Sequence, residues 1–151
     1  MLKKFVSSFL ALMILVGCSG GSSSSRNSAE SIAQGLIKDL KLEDKVAATE
    51  QRILQGLMFF PEDTVDDASL YLSNDKKADV VGVFHLKDAK RSQEVLDCVE
   101  AYRQTLKAQM ESYAPGETFK VDSAIVEVIN DNVIFVICDS LEDARKAVEK
   151  L

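Results

Sequence analysis

The chain has 151 residues, of which 46% are hydrophobic and 28% charged, with a formal net charge of −6. That length suits one domain and hardly two, and the composition suits a packed core and excludes a wholly disordered chain. The acidic balance argues against nucleic-acid binding, because an acidic surface repels phosphates; with no tryptophan, 3 tyrosines and 7 phenylalanines, stacking platforms are also scarce.

Met1–Lys4 is a short basic start, and Phe5–Val16 is an apolar run broken only by Ser7 and Ser8. A membrane-spanning helix needs about 20 apolar residues, so this shorter run predicts a secretory signal. Without Lys3 and Lys4 the rest of the chain carries −8. The segment Leu15-Val16-Gly17-Cys18 resembles the bacterial lipoprotein box, in which a small residue precedes an obligatory cysteine. In that family of signals the thiol is alkylated with diacylglycerol, and signal peptidase II then cleaves before it. The resemblance implies a signal peptide over 1–17 and a lipidated N-terminus at Cys18. The chemistry is consistent, since a thiolate forms a stable thioether. Two acyl chains anchor what one holds only marginally, at about 0.8 kcal/mol per buried CH₂. Gly20, Gly21 and the run Ser22–Ser25 make residues 18–28 a lipidated cysteine followed by a flexible tether.

Residues 29–151 read as a single α+β domain. "SAESIAQGLIKDL" (Ser28–Leu40) spaces Ile32, Leu36 and Leu40 by four, with Ile37 beside them, which predicts an amphipathic helix opened by Ser28. "AATEQRILQGLMFF" predicts a second, shorter helix carrying Ile53, Leu54, Leu57 and Met58, ended before Pro61. "ASLYLS" (Ala68–Ser73) alternates as a strand, "NDKK" turns, and "ADVVGVFHL" (Ala78–Leu86) is apolar on both faces, as a central strand would be. Val95, Val99, Tyr102, Leu106, Met110 and Tyr113 form one stripe along a long helix over roughly Asp88–Tyr113, stopped at "APGE". "AIVEVINDNVIFVICDS" (Ala124–Ser140) is a hairpin turning at Asn130-Asp131-Asn132, because these types tolerate left-handed backbone. "LEDARKAVEKL" is a closing helix with Asp139 or Ser140 as N-cap and Leu141, Ala144, Val148 and Leu151 inward. Two hairpins around one long helix predict a four-stranded, mainly antiparallel sheet, with the long helix and the shorter ones packed on one face.

The ordered set "LMFFPEDTVDDASLYLS", "VFHLKDA", "QMESYAPGE" and "SAIVEVINDNVIFVICDS" resembles domain-of-unknown-function family 4358, found in bacterial lipoproteins. The likeness extends over roughly Ile32–Leu151. Where that family usually carries a glycine and an isoleucine, this chain has Phe59 and Phe60. The resemblance implies a surface-anchored lipoprotein of uncharacterised activity, typical of Gram-positive bacteria, and brings no catalytic residues.

With Cys18 assigned to lipid, Cys98 and Cys138 are the remaining thiols. Outside the cytoplasm such a pair can form a disulfide. Their helix-edge and strand-end positions favour two buried free thiols, which pack as small hydrophobes. His85, the lone histidine, reads as a packed or partly exposed strand residue. Glu62, Asp63, Asp66 and Asp67 crowd together in "EDTVDDA" but lack the alternating spacing and mid-loop glycine of a calcium loop, so they read as a solvated acidic turn. No Gly-rich phosphate loop, paired CxxC or HExxH occurs. The expectations are therefore no catalytic residue, no metal and no cofactor. The expected function is a non-enzymatic protein- or ligand-binding lipoprotein, held on the extracytoplasmic face of the cell membrane through Cys18, with an envelope protein as partner. The alternative is a small-solute-binding lipoprotein serving a transporter. Replacing Cys18 with Ala is expected to abolish incorporation of labelled palmitate into the chain in cells; retained label would refute the anchor.

Overall fold

A computed structural model describes residues 27–151; the expected signal peptide, Cys18 and the tether through Arg26 lie outside the described residues. The elements in chain order are α1 (Ala29–Asp39), β1 (Val46–Ala48), α2 (Gln51–Met58), β2 (Val65–Ser73), β3 (Val80–Leu86), α3 (Ser92–Tyr113), α4 (Thr118–Asp122), β4 (Ile125–Ile129), β5 (Asn132–Ile137) and α5 (Leu141–Val148). Single 3-10 turns at Ala89–Arg91 and Pro115–Glu117 lead into α3 and α4.

The fold is α+β, with an antiparallel sheet in the order β1-β2-β3-β5-β4. It has five strands where the sequence predicts four. The fifth, β1, pairs Val46–Ala48 with Tyr71–Ser73, and three residues are too few for alternation to show. The helices cover both faces rather than one. Every residue of β3 is buried, and its side chains alternate between two cores. Val80, Phe84 and Leu86 join Val133, Phe135 and Ile137 of β5 under α2 and α3. Val81 and Val83 join Ile134 and Val136 under α1 and α5. A central strand apolar on both sides needs a helical layer on each, which rules out the one-sided arrangement. Gly82 lies opposite Phe135, and a Cβ there would come within 2.8 Å of the Phe84 ring. The glycine therefore makes room for two phenylalanines on one face.

The predicted caps form. Ser28 Oγ accepts from the Ser31 amide, and Ser140 Oγ accepts from the Asp143 amide. Asn130 turns the β4–β5 hairpin with φ 50°. Three residues placed inward by pattern are exposed instead: Tyr113, Leu141 and Leu151. The stretch after "APGE" is not a plain connection but α4, and its Lys120 is a buried cation, 2% exposed.

Lys120 Nζ lies 2.7 Å from Asp139 Oδ1, 2.8 Å from Glu117 Oε2 and 3.4 Å from Asp79 Oδ1. Burial opposes its charge, but hydrogen bonds to Asp139 and Glu117 and the Asp79 charge outweigh it and push Lys120 above the usual lysine range. Hydrogen bonds from Lys120 and Lys45 pull Asp139 from 3.8 down to about 2. Burial pushes Asp79 up, only partly offset by Lys120, and its Oδ2 has no hydrogen-bond partner. Lys120→Met is expected to cost about 3–5 kcal/mol in urea unfolding at pH 7, because it strands the buried Asp79 and removes the partner of Glu117 and Asp139, whereas Asp79→Asn should cost far less. Asp139 has a depressed folded pKa, so its contribution is present above about pH 4 and is lost as pH falls towards 2. The unfolding midpoint should drop across that window, and a flat midpoint there would contradict the assignment.

Candidate functional site

Two helices on one face of the sheet leave an open groove between them. α2 is only eight residues long, and its inner side chains Leu54 and Met58 fill the core. Its other apolar residues, Ile53 and Leu57, line the gap towards α3, with Leu57 also packed against the core. α3 likewise carries two rows. Val95, Val99, Leu106 and Met110 are buried on the sheet. Beside them Cys98, Ala101 and Thr105, three small side chains at helical spacing, line the opposite wall with Tyr102. Leu72 of β2 also lines the groove, whose volume is about 810 Å³. Asp97 is the one charged residue among the described residues lining it, and it accepts a hydrogen bond from Gln93 Nε2 at 2.7 Å.

Phe59 closes the C-terminal end of α2. It takes φ 50° and ψ 40°, the left-handed region that glycine enters without strain, and its ring is 77% exposed. Its carbonyl accepts a hydrogen bond from the Cys98 thiol at 3.6 Å, which ties the end of α2 to α3. Phe60 turns the other way and meets Phe84 edge-on in the core, with ring centroids 5.0 Å apart.

The structure does not bring the sequence-predicted site residues together. Cys98 lies in the α2–α3 groove, whereas Cys138 packs against the α1–α5 core and donates to the Ser140 carbonyl at 3.3 Å. Both are free thiols. Burial, then the charges of Asp97 and Glu94, push the Cys98 thiol up; burial, with the charges of Asp79, Asp139 and Asp143, does the same for Cys138. Thiols held up in this way are poor nucleophiles.

His85 is buried in β3, with Nδ1 3.1 Å from Asn132 Oδ1 and Nε2 3.8 Å from Asp66 Oδ1. It borders a small polar cleft of about 280 Å³ with Asn130, Asn132 and Lys150. Asn130 donates to the Leu151 carbonyl and Lys150 pairs with Asp39, while the buried His85 Nε2 has no hydrogen-bond partner among the described residues. The expected acidic turn divides. Glu62 and Asp63 precede β2, where Asp63 pairs with Lys87, while Asp66 and Asp67 belong to the strand. Asp67 Oδ2 accepts from the Ala29 amide at 2.7 Å, placing a carboxylate at the N-terminus of α1. Among the described residues no group of three or more His, Cys, Asp or Glu could hold a metal ion.

The groove is the feature that sequence reasoning missed. Two signals for it were present. Apolar residues run almost all round "ILQGLMFF", and a second row of small residues flanks the main stripe of the long helix.

The family model for a domain of unknown function, DUF4358, matches residues 38–138, a shorter stretch at both ends than Ile32–Leu151. The matched stretch holds the whole sheet, α2 and α3, and every residue that lines the groove. Neither a curated protein nor a solved structure matches the chain.

Both thiols should titrate with Ellman's reagent in the urea-unfolded, unreduced Cys18→Ala chain, at two equivalents, and should react slowly with iodoacetamide in the folded chain at pH 7. A value near zero after unfolding would show a disulfide instead.

Proposed function

The chain belongs to the DUF4358 family, and from that premise we propose that it is a membrane-anchored, extracytoplasmic lipoprotein whose folded domain binds a protein or ligand without catalysing a reaction. The anchor rests on the lipoprotein-box resemblance at Leu15–Cys18. Among the described residues no helix is long and apolar enough to cross a membrane, so attachment through the lipidated Cys18 is the route this reading uses. The observation that carries the binding role is the apolar groove with an exposed Phe59 at its end. Contiguous apolar surface with a protruding aromatic marks interaction sites on otherwise polar surfaces. The non-enzymatic reading is supported by the two thiols, which are held in the protonated form.

A second reading is a small-solute-binding lipoprotein that serves a transporter. The polar cleft beside His85 favours it, since its volume of about 280 Å³ is small-solute sized.

In-cell crosslinking of the full chain separates the two. Under the first reading a protein partner is captured by the parent and lost in Ala101→Trp, which fills the groove from an exposed position. A partner that survives Ala101→Trp, or none above background, would sink the groove as the binding surface. A rise in unfolding midpoint with a panel of small polar metabolites, abolished by Asn132→Leu, would favour the second reading.

A further inference from the structure

We propose that the α2–α3 groove seats a basic amphipathic helix of a partner protein, with its apolar face on Phe59, Leu57 and the Ala101–Thr105 row and a Lys or Arg beside Asp97. This inference rests on the reading of the chain as a binding domain and names the chemistry of its partner.

The shape of the groove points to a helix. Along α3 it runs from Asp97 to Gln109, which at 1.5 Å per residue is about 18 Å, or about three helical turns. On the α3 wall Cys98, Ala101 and Thr105 form a row that projects little, beside the larger Tyr102 and Gln109. Small residues in a row allow a second helix to approach to an axis separation of about 8 Å, the close end of the usual range. The α2 wall is its counterpart, with Ile53 and Leu57 as larger side chains that can interdigitate with those of an incoming helix. Phe59 stands at the end of this channel as a large, exposed aromatic, and aromatic anchors are the residue type enriched at the hot spots of interfaces.

Charge selects among apolar occupants. Asp97 is the only charged lining residue, and among the described residues no cation pairs with it. Glu94 stands one turn earlier on the same helix, paired with Arg91, and the charges of Asp97 and Glu94 both disfavour the Cys98 thiolate that follows them. The rim of the groove therefore carries one negative charge without a cation partner among the described residues, that of Asp97, on a chain of net charge −6. A fatty acid would bring a carboxylate to that rim. A second copy of this chain would bring its own Asp97 and Glu94 against the same patch. A helix with Lys or Arg on its polar flank meets an unpaired carboxylate beside an apolar channel, which favours it over both.

The test uses the full chain in phosphatidylcholine nanodiscs and two fluorescein-labelled 14-residue helical peptides with the same leucine stripe. One carries Lys on its flanks and the other Glu, and empty nanodiscs serve as the blank. The Lys peptide should bind at least tenfold more tightly than the Glu peptide, and Asp97→Asn should erase most of that difference. Phe59→Gly suits the left-handed backbone, so it should leave the unfolding midpoint no lower while weakening the Lys peptide at least tenfold. Ala101→Trp should block binding. Equal binding of the two peptides, no binding of either, or indifference to Phe59→Gly would overturn the proposal. So would a dimer in sedimentation that Ala101→Trp dissociates, because the occupant would then be a second copy. If the peptides fail while the crosslinked partner still depends on Ala101, the basic helix is wrong and the binding domain stands. If the partner is absent too, both fall.

Discussion

A single buried ammonium organises one end of this molecule. Lys120 draws its carboxylates from three separate connections: Asp79 just before β3, Glu117 in the turn after α3, and Asp139 between β5 and α5. Lys45, just before β1, reaches the same Asp139. Desolvating a lysine is costly, and only short contacts to several acids recover that cost in a low-dielectric setting. Two contacts are short and the third is longer, so the site holds one carboxylate more loosely than the others. The cost falls on Asp79, whose outer oxygen is unpartnered. In exchange, chain segments far apart in sequence meet at one point. Glu117 also accepts from the Ala78 amide, fixing the approach to the central strand.

That fixed point determines what the long helix can do. α3 is bound to the sheet along Val95, Val99, Leu106 and Met110, and its C-terminal end is held through Glu117 and Lys120. Arg103 adds a hydrogen bond to the Val121 carbonyl, a further tie between α3 and α4. With α3 immobile, its second row of small residues faces outward at a set distance from α2, and the Cys98–Phe59 contact closes that distance at one end. The groove is thus a consequence of the core. A helix that packs one face on a sheet and is pinned at its end has no freedom to roll and bury a second face.

The sequence made legible what repeats along one element. The stripe of α3 as far as Met110, the buried β3 and the Asn130 turn each carry a local signature, and each stands where that signature put it. What was illegible depends on partners distant in the chain. β1 exists because Tyr71–Ser73 offers it an edge, not because Val46–Ala48 insists on being a strand. α4 looked like a connection because Lys120 appears polar until three acids surround it. The second helical layer was implied by the two apolar faces of β3, yet the count of hairpins and helices could not assign α1 and α5 to one side and α2 and α3 to the other. The groove was least legible, since it lies between residues 53–59 and 97–109 and belongs to neither pattern alone.

Phe59 is where local preference and global structure part company. Among the described residues four non-glycine residues take positive φ: Lys41, Phe59, Asp63 and Asn130. Asp63 and Asn130 are types whose short polar side chains tolerate that region, and Lys41 is an exposed residue just past the end of α1. An aromatic residue has no such tolerance, and this one is too exposed to contribute much to the core. Neither backbone preference nor burial therefore explains a phenylalanine at this position, where glycine would be less strained. Conflicts of this kind concentrate where a sequence serves something other than its own stability. The neighbouring Phe60 shows the contrast. It fills the core against Phe84 and satisfies every packing rule, while one residue earlier the chain holds an equal ring out at the mouth of an apolar groove.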